Sequence, residues 1–179
     1  TKTKRPAFRG SRGKTTKNTS TVKLHGRVHS DVKIMPTSIR GHRYFVIFVH
    51  EGSRHVKVVP IKRKSDVESE TKAYINNLRN IRGIKLSEFR SDGGGEYTSG
   101  VLQSWLKEQG MRWTPSPART PEQNGIAERH IQTMMSKVRA MLRHAGLSNG
   151  YWCYAAESAA YLTNRTSHES TEGKKTPHE

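Results

Sequence analysis

Three carboxylates stand out in this sequence because they come from separate segments of a strongly basic chain. Asp31 ends the string RVHSD, Asp92 lies in FRSDGGGEY, and thirty-five residues separate Asp92 from Glu128 in TPEQNGIAERH. Carboxylate oxygens suit Mg²⁺ and Mn²⁺, which keep positions open for water and for the phosphate oxygens of a substrate. Two such ions could activate an attacking hydroxyl and stabilise the leaving oxygen in a displacement at phosphorus. The three acids therefore predict a site for metal-dependent phosphoryl transfer.

Each of these acids also has a structural explanation when it is considered alone. Glu128 would lie in the first turn of a helix, where the helix dipole stabilises a negative charge. Asp92 precedes three glycines and could simply be a turn former. Those glycines lack the Lys and the Ser or Thr of a nucleotide-binding P-loop, so that motif is excluded. The catalytic interpretation depends on the combination of the three acids with the motifs that flank them.

The hydrophobic pattern predicts elements that would bring the acids together. Asp31 would lie on the first strand and Asp92 at the end of the fourth, so both would project from one sheet edge if these strands are neighbours. A long helix would bring Glu128 opposite them. Three strands followed by alternating helices and strands predict a mixed sheet covered by helices on both faces. The predicted strands are Arg27–Met35, Tyr44–Val49, Arg54–Ile61, Ile84–Ser91 and Met111–Thr114, and the predicted long helix runs from Ala127 to His144.

Shorter helical patterns complete the prediction. One helix should run from about 65 to 81, with Ser65 and Glu68 in the pattern of a capping box. A second should bury Val101 and end at Gly110. The last, at about 151–164, should bury one face that includes Leu162.

The composition predicts a folded core between two polar segments. The chain has 179 residues, a formal net charge of +17 and only 32% hydrophobic residues. Residues 1–25 contain eight Lys or Arg and no acid, which predicts a disordered basic arm. Residues 26–166 would form the core, and residues 167–179 a loose polar tail. Charge of this size favours nucleic acid as the partner.

Other function classes are disfavoured by what the sequence lacks. No apolar run approaches the roughly eighteen residues that a membrane span requires, so no membrane partner is expected. The single cysteine, Cys153, excludes an internal disulfide and a cysteine-rich zinc site. It lies in the apolar string YWCYAAESAA, which is typical of a buried thiol. An intracellular location is expected.

From LHGRVHSD onward, the sequence resembles the integrase catalytic core of copia-type LTR retrotransposons, within the retroviral-type integrase superfamily. The resemblance is specific because RSDGGGEY and TPEQNGIAER occur together at the family's spacing. The other matching strings are HSD (29–31), RYFVIFV (43–49), SRHVKVVPIKRKSDV (53–67) and YWCYAAESAAYLTNR (151–165).

This resemblance implies a fold, a site and a reaction. The fold would be RNase H-like, with a five-stranded mixed sheet flanked by helices. The family's catalytic and metal-binding triad falls on Asp31, Asp92 and Glu128, with Mg²⁺ or Mn²⁺ as cofactor. The reaction would be DNA integration, in which the 3′-hydroxyl of element DNA attacks a phosphodiester of target DNA. The family also implies a homo-oligomer, and a location in virus-like particles of the cytoplasm and in the nucleus.

Two departures from the family pattern bear on activity. A zinc-binding segment precedes the core in the family and ends in Cys-x-x-Cys before a Gly-Lys pair. Gly13-Lys14 could be that pair, but Ala7 and Gly10 occupy the cysteine positions, so no zinc is expected. The second strand is followed by HEGSR (His50–Arg54) in place of the family's Asp-Asp-Tyr-Ser-Arg. Both departures are typical of a degenerate copy.

DNA contacts are predicted near Glu128 and along the long helix. Gln123 and Asn124 would lie in a loop beside the site, and cations of the helix could pair with phosphates. The predicted helix contacts are Arg129, Lys137, Arg139 and Arg143. Two alternatives stay open: an RNase H-like nuclease that only hydrolyses, and a catalytically idle nucleic-acid-binding remnant of a retroelement polyprotein.

Overall fold

A computed structural model describes residues 26–116, 121–167 and 176–178, with residues 121–124 described by their backbone alone. The predicted basic arm at 1–25 lies outside the described residues. Five strands and four helices make up the described fold. They are β1 Arg27–Ile34, β2 Tyr44–His50, β3 Val56–Ile61, α1 Asp66–Asn80, β4 Glu88–Ser91, α2 Gly100–Glu108, β5 Arg112–Pro115, α3 Pro121–His144 and α4 Trp152–Arg165, with a 3₁₀ turn at Asn149–Tyr151 before α4.

The strands form one mixed sheet in the order β3-β2-β1-β4-β5. β2 runs antiparallel to both β1 and β3, whereas β4 runs parallel to both β1 and β5. The tight antiparallel opening and the later helical crossovers account for this mixture, since parallel neighbours need a long connection. The predicted mixed sheet is confirmed, and the first and fourth strands are neighbours.

Helices cover both faces of the sheet because successive side chains of a strand point to opposite sides. In β2, Phe45, Ile47 and Val49 pack under α3 and α4. The alternate residues Val46 and Phe48 pack under α1 and α2. All five are fully buried, which explains why this strand is a continuous apolar run in the sequence.

α4 is fastened to the edge of the sheet by a side chain. The Asn164 amide donates to the Val56 carbonyl at 2.7 Å and accepts from the Val56 N–H at 2.8 Å. These bonds satisfy backbone groups of an edge strand that would otherwise be unpaired. They hold the end of α4 against the start of β3.

β3 begins at Val56 rather than Arg54, and two further element boundaries differ from the sequence prediction by more than two residues. β4 begins at Glu88 rather than Ile84, because β1 begins at Arg27 and offers no earlier residue to pair with. α3 begins at Pro121 rather than Ala127, since proline suits the first position of a helix, where its missing N–H costs nothing. Gln123 and Asn124 therefore lie on the first turn of α3, not in a loop.

Three side chains also differ from the prediction. Val101 is 63% exposed and Leu162 is 51% exposed, so neither belongs to the core. Ser65 stands at the N-cap of α1 but makes no capping bond with its side chain. Glu68 instead accepts a hydrogen bond from Lys72 at 2.7 Å.

Pro177 and His178, in the segment predicted as a loose tail, contact the rest of the fold. The His178 N–H donates to the Asn164 carbonyl at 2.9 Å, and the Arg82 guanidinium donates to the Pro177 carbonyl at 3.3 Å. Pro177 is buried. Across the described ranges, no helix has the length and apolar character needed to cross a membrane.

Candidate active site

Asp31 lies on β1, and Asp92 directly follows the adjacent parallel strand β4. The β1–β4 register pairs Arg27 with Glu88 and His29 with Arg90. Continuing this register by two positions puts Asp31 level with Asp92, across a strand separation of about 5 Å. The neighbouring, parallel pairing of β1 and β4 is the condition on which the predicted common sheet edge depends, and a sequence pattern cannot specify it.

α3 brings Glu128 to the same edge. Its residues Ala127 and Ile131 are buried against the sheet, while Glu128 is exposed on the flank of the helix. The negative charge of Glu128 acts on Asp31, as does that of Asp92. Three separate elements thus present their acids to one region.

The electrostatics of this region are unfavourable for a carboxylate. The pKa of Asp31 is raised from 3.8 to about 6, first because the side chain is partly buried, and also because Asp92, Glu128 and Glu96 are negatively charged. The Val32 N–H donates to Asp31 Oδ1 at 2.7 Å and opposes this shift in pKa. A site that penalises its own negative charge gains from a bound cation.

The loop after β4 is folded tightly around the second acid. The Gly94 N–H donates to Asp92 Oδ1 at 3.2 Å. A Cβ at Gly94 would lie 3.1 Å from Asp92 Oδ1 and 2.9 Å from Glu96 Oε2, so a larger residue there would displace one of these carboxylates. Tyr97 then anchors the loop: its side chain is fully buried and its hydroxyl lies 2.7 Å from Ser30 Oγ.

Glu96 is a fourth acid of this region, which the sequence analysis missed. Its side chain is only 6% exposed and lies 3.3 Å from the Lys64 ammonium. It stands four residues after Asp92, in the string that also drew attention to Asp92. That proximity was the available signal, but nothing in the sequence shows that the loop turns Glu96 back toward Asp31.

The donors fit a hard divalent cation, although they are not arranged as a closed cage. Within the described parts of the chain, no three Asp, Glu, His or Cys side chains are close enough to hold an ion together. Asp31, Asp92 and Glu128 supply oxygen ligands alone, the set that Mg²⁺ and Mn²⁺ take together with water and phosphate oxygens.

A buried ionic cluster supports β1 beneath Asp31. His29 is 1% exposed, and its Nε2 lies 2.9 Å from Glu51 Oε2. Arg27 donates to the same carboxylate oxygen at 3.1 Å and reaches Glu88 at 2.8 Å. Burial lowers the pKa of His29. Glu51 belongs to the altered HEGSR string, and it still supplies an acid that holds the first strand in place.

The predicted DNA-contacting cations of α3 have different surroundings. Arg129, Arg139 and Arg143 are exposed, and Arg139 donates to Ser136 Oγ at 3.2 Å. Lys137 is half-buried and donates to Thr163 Oγ1 at 2.7 Å. The side chains of Gln123 and Asn124 lie outside the described part of the structure.

Comparison with solved structures defines the class of this fold. A chain of the simian T-cell lymphotropic virus intasome, in complex with the PP2A regulatory subunit B56 gamma, gives a TM-score of 0.68 at 17% identity, over 87% of this chain and 55% of that one. The HTLV-2 integrase catalytic core domain in complex with magnesium, in its trimeric form, gives a TM-score of 0.62 at 16% identity. The match covers 86% of this chain and 94% of that one. The chain has the RNase H-like fold of integrase catalytic cores.

Sequence comparison then gives the family. The chain is 38% identical over 141 residues to the retrovirus-related Pol polyprotein from transposon TNT 1-94 of Nicotiana tabacum. The aligned residues are 78% of this chain and 11% of the relative. The corresponding polyprotein from transposon RE2 of Arabidopsis thaliana is 35% identical over 139 residues, which are 77% of this chain and 9% of that relative. No protein-family model matches. The chain belongs to the retrovirus-related Pol polyproteins of copia-type transposons, and it spans about a tenth of the length of these relatives.

Proposed function

We propose that the chain is the catalytic core of an integrase that joins the 3′-hydroxyl ends of retroelement DNA to target DNA. The reaction is a divalent-metal-dependent transesterification by a polynucleotidyl transferase. The observation that supports this proposal is that, in an integrase-type fold, the charges of Asp92, just after β4, and of Glu128, on α3, act on Asp31 of β1. Burial first, and then the negative charges of these neighbours, raise the pKa of Asp31 to about 6.

The residues of this chain would prepare the site in distinct ways. Asp31, Asp92 and Glu128 would hold Mg²⁺ or Mn²⁺, which neutralises phosphate charge and activates a hydroxyl when bound. The amides of Val32 and Gly94 each hold one carboxylate oxygen and leave the other free to bind. These bonds fix the direction of both aspartates before any ligand arrives.

Positively charged residues outside the site would bind the DNA backbone. Arg129, Arg139 and Arg143 are exposed on the same helix as Glu128. A DNA strand bound by this helix would therefore pass close to the carboxylates. Such contacts position DNA and carry no sequence preference. Joining two element ends to one target requires more than one core, so we propose a homo-oligomer acting in virus-like particles and in the nucleus.

Strand transfer can be tested directly on the purified chain. An oligonucleotide with the element's end sequence and a labelled strand is incubated with Mn²⁺ and target DNA, and the products are separated by length. Products longer than the input support the proposal. Shortened products alone would show a nuclease, and DNA binding without either product would show an idle remnant.

A control variant distinguishes loss of the metal site from loss of one negative charge elsewhere in the chain. Asp92→Asn should abolish the longer products, while Asp66→Asn should not, because Asp66 lies at the start of α1 and bonds the Arg63 N–H at 3.0 Å. Calorimetric Mn²⁺ titration of the same proteins, with and without DNA, should show saturable binding that Asp92→Asn removes. Equal Mn²⁺ binding by wild type and Asp92→Asn would contradict the assigned site.

A further inference from the structure

A pocket on the side of α3 collects cations from two parts of the chain. Arg54 comes from the turn between β2 and β3, and Arg129 and Lys137 come from α3. No described residue that lines the pocket is acidic. Hydroxyl groups complete its wall, from Thr133, Thr163 and Thr166.

Two other cations of the described structure, Arg27 and Lys64, are paired with acids. Arg27 lies between Glu51 and Glu88, and Lys64 faces Glu96. By contrast, none of the three pocket cations forms an ion pair with any described residue. Uncompensated like charges around one cavity repel one another, and an anion bound among them removes that repulsion.

One of the three cations is already held in position. The Lys137 ammonium donates to Thr163 Oγ1 at 2.7 Å, and Thr163 in turn donates to the Ala159 carbonyl at 2.7 Å. An ammonium has three donors, so Lys137 keeps donors for a ligand while its position is fixed. Little side-chain entropy would then be lost when the anion binds.

The backbone of Arg54 provides independent evidence. Its φ is 59°, and it is the only non-glycine residue of the described chain with a positive φ. Glycine adopts this left-handed region without steric cost, whereas a residue with a Cβ does not. The turn conformation therefore gives no local reason for arginine, and strain of this kind is concentrated at binding sites.

The pocket and the carboxylates lie on opposite flanks of α3. A helix turns by about 100° per residue, so Glu128 and Lys137, nine positions apart, point in opposite directions around its axis. Between these flanks lies the exposed face that carries Arg139 and Arg143. DNA crossing this face would reach the carboxylates on one side and the pocket on the other.

We propose that this pocket binds a backbone phosphate of DNA and so sets the path of the strand across α3. Guanidinium groups bind phosphate oxygens in a two-pronged geometry that suits this role. The DNA ligand rests on the proposed function, but the pocket is separate from the metal site. Its contribution can therefore be measured without divalent ions and without catalysis.

The test uses Arg54→Gly, which removes the guanidinium and relieves the backbone strain together. Duplex DNA binding is measured by fluorescence anisotropy in EDTA over a series of salt concentrations. The variant should bind roughly three- to ten-fold more weakly, and the slope of log affinity against log salt should fall by about one. Its melting temperature should be equal to or higher than that of the wild type, so weak binding would not reflect poor folding.

Lys107→Ala is the matched control, since it also removes one positive charge, in this case from an exposed residue of α2 at the opposite face of the sheet. Equal losses of affinity in the two variants would overturn the proposal. Titrating inorganic phosphate against the DNA complex tests whether the pocket takes free phosphate instead of DNA. If the pocket binds phosphate tightly while Arg54→Gly leaves DNA affinity unchanged, the proposal is also overturned. The two proposals can fail separately. If the wild type binds DNA with the predicted salt dependence but does not catalyse strand transfer, the proposed function is refuted and the phosphate-binding pocket is not.

Discussion

Removing the charge of Asp31 should stabilise the protein in the absence of divalent ions. The pKa of Asp31 is raised from 3.8 to about 6 in the folded state, so the folded chain binds this proton more tightly than the unfolded chain. Ionisation is then penalised in the folded state. Stability should fall as the pH rises from about 4 to about 6 and should stay lower above that range.

The magnitude follows from the two pKa values. A difference of roughly two between the folded and unfolded pKa values of Asp31 corresponds to about 3 kcal/mol in the free energy of unfolding at neutral pH. Partial exposure of the side chain reduces this figure, so Asp31→Asn should raise the free energy of unfolding by about 2 kcal/mol, or the melting temperature by roughly 4–8 °C. The amide oxygen can still accept from Val32, so that hydrogen bond need not be lost.

Urea unfolding in EDTA at about pH 4 and about pH 7.5 measures this effect. The stability gain should be small at the lower pH and near its full value at the higher one. Added Mn²⁺ should stabilise the wild type but not the variant. Glu157→Gln, an exposed acid of α4, is the control and should change little at either pH. An Asp31→Asn variant that is less stable than wild type at about pH 7.5 would refute the electrostatic reasoning.

Three further substitutions test the supports of the site by urea unfolding. Asn164→Ala should cost about 2–4 kcal/mol, because it leaves the buried N–H and carbonyl of Val56 without partners; a loss below about 1 kcal/mol would contradict this. Tyr97→Phe should cost about 1 kcal/mol, and a double-mutant cycle with Ser30→Ala should show coupling. Glu51→Gln should destabilise the fold at neutral pH but much less at low pH: despite burial, bonding to His29 lowers the pKa of Glu51, so its contribution is lost as the pH falls.

Local patterns in the sequence predicted most of the fold. The continuous apolar run of β2 indicates a strand buried on both faces, as found. In α3, the apolar positions recur at helical spacing, and Ile131, Met134 and Val138 are buried. Such patterns are readable because a residue's neighbours in an element are fixed by the geometry of that element. The boundaries were less predictable, since β4 can extend only as far as its partner strand does.

The site shows the same division between sequence and tertiary structure. The types and spacing of Asp31, Asp92 and Glu128, with the motifs around them, were enough to predict three acids for one metal site. The β1–β4 pairing and the packing of α3 decide how near to one another these acids lie. The return of Glu96 toward Asp31 and the meeting of Arg54 with Lys137 left no pattern in the sequence. Contacts of this kind depend on how separate elements pair and pack, and chain spacing alone does not encode those distances.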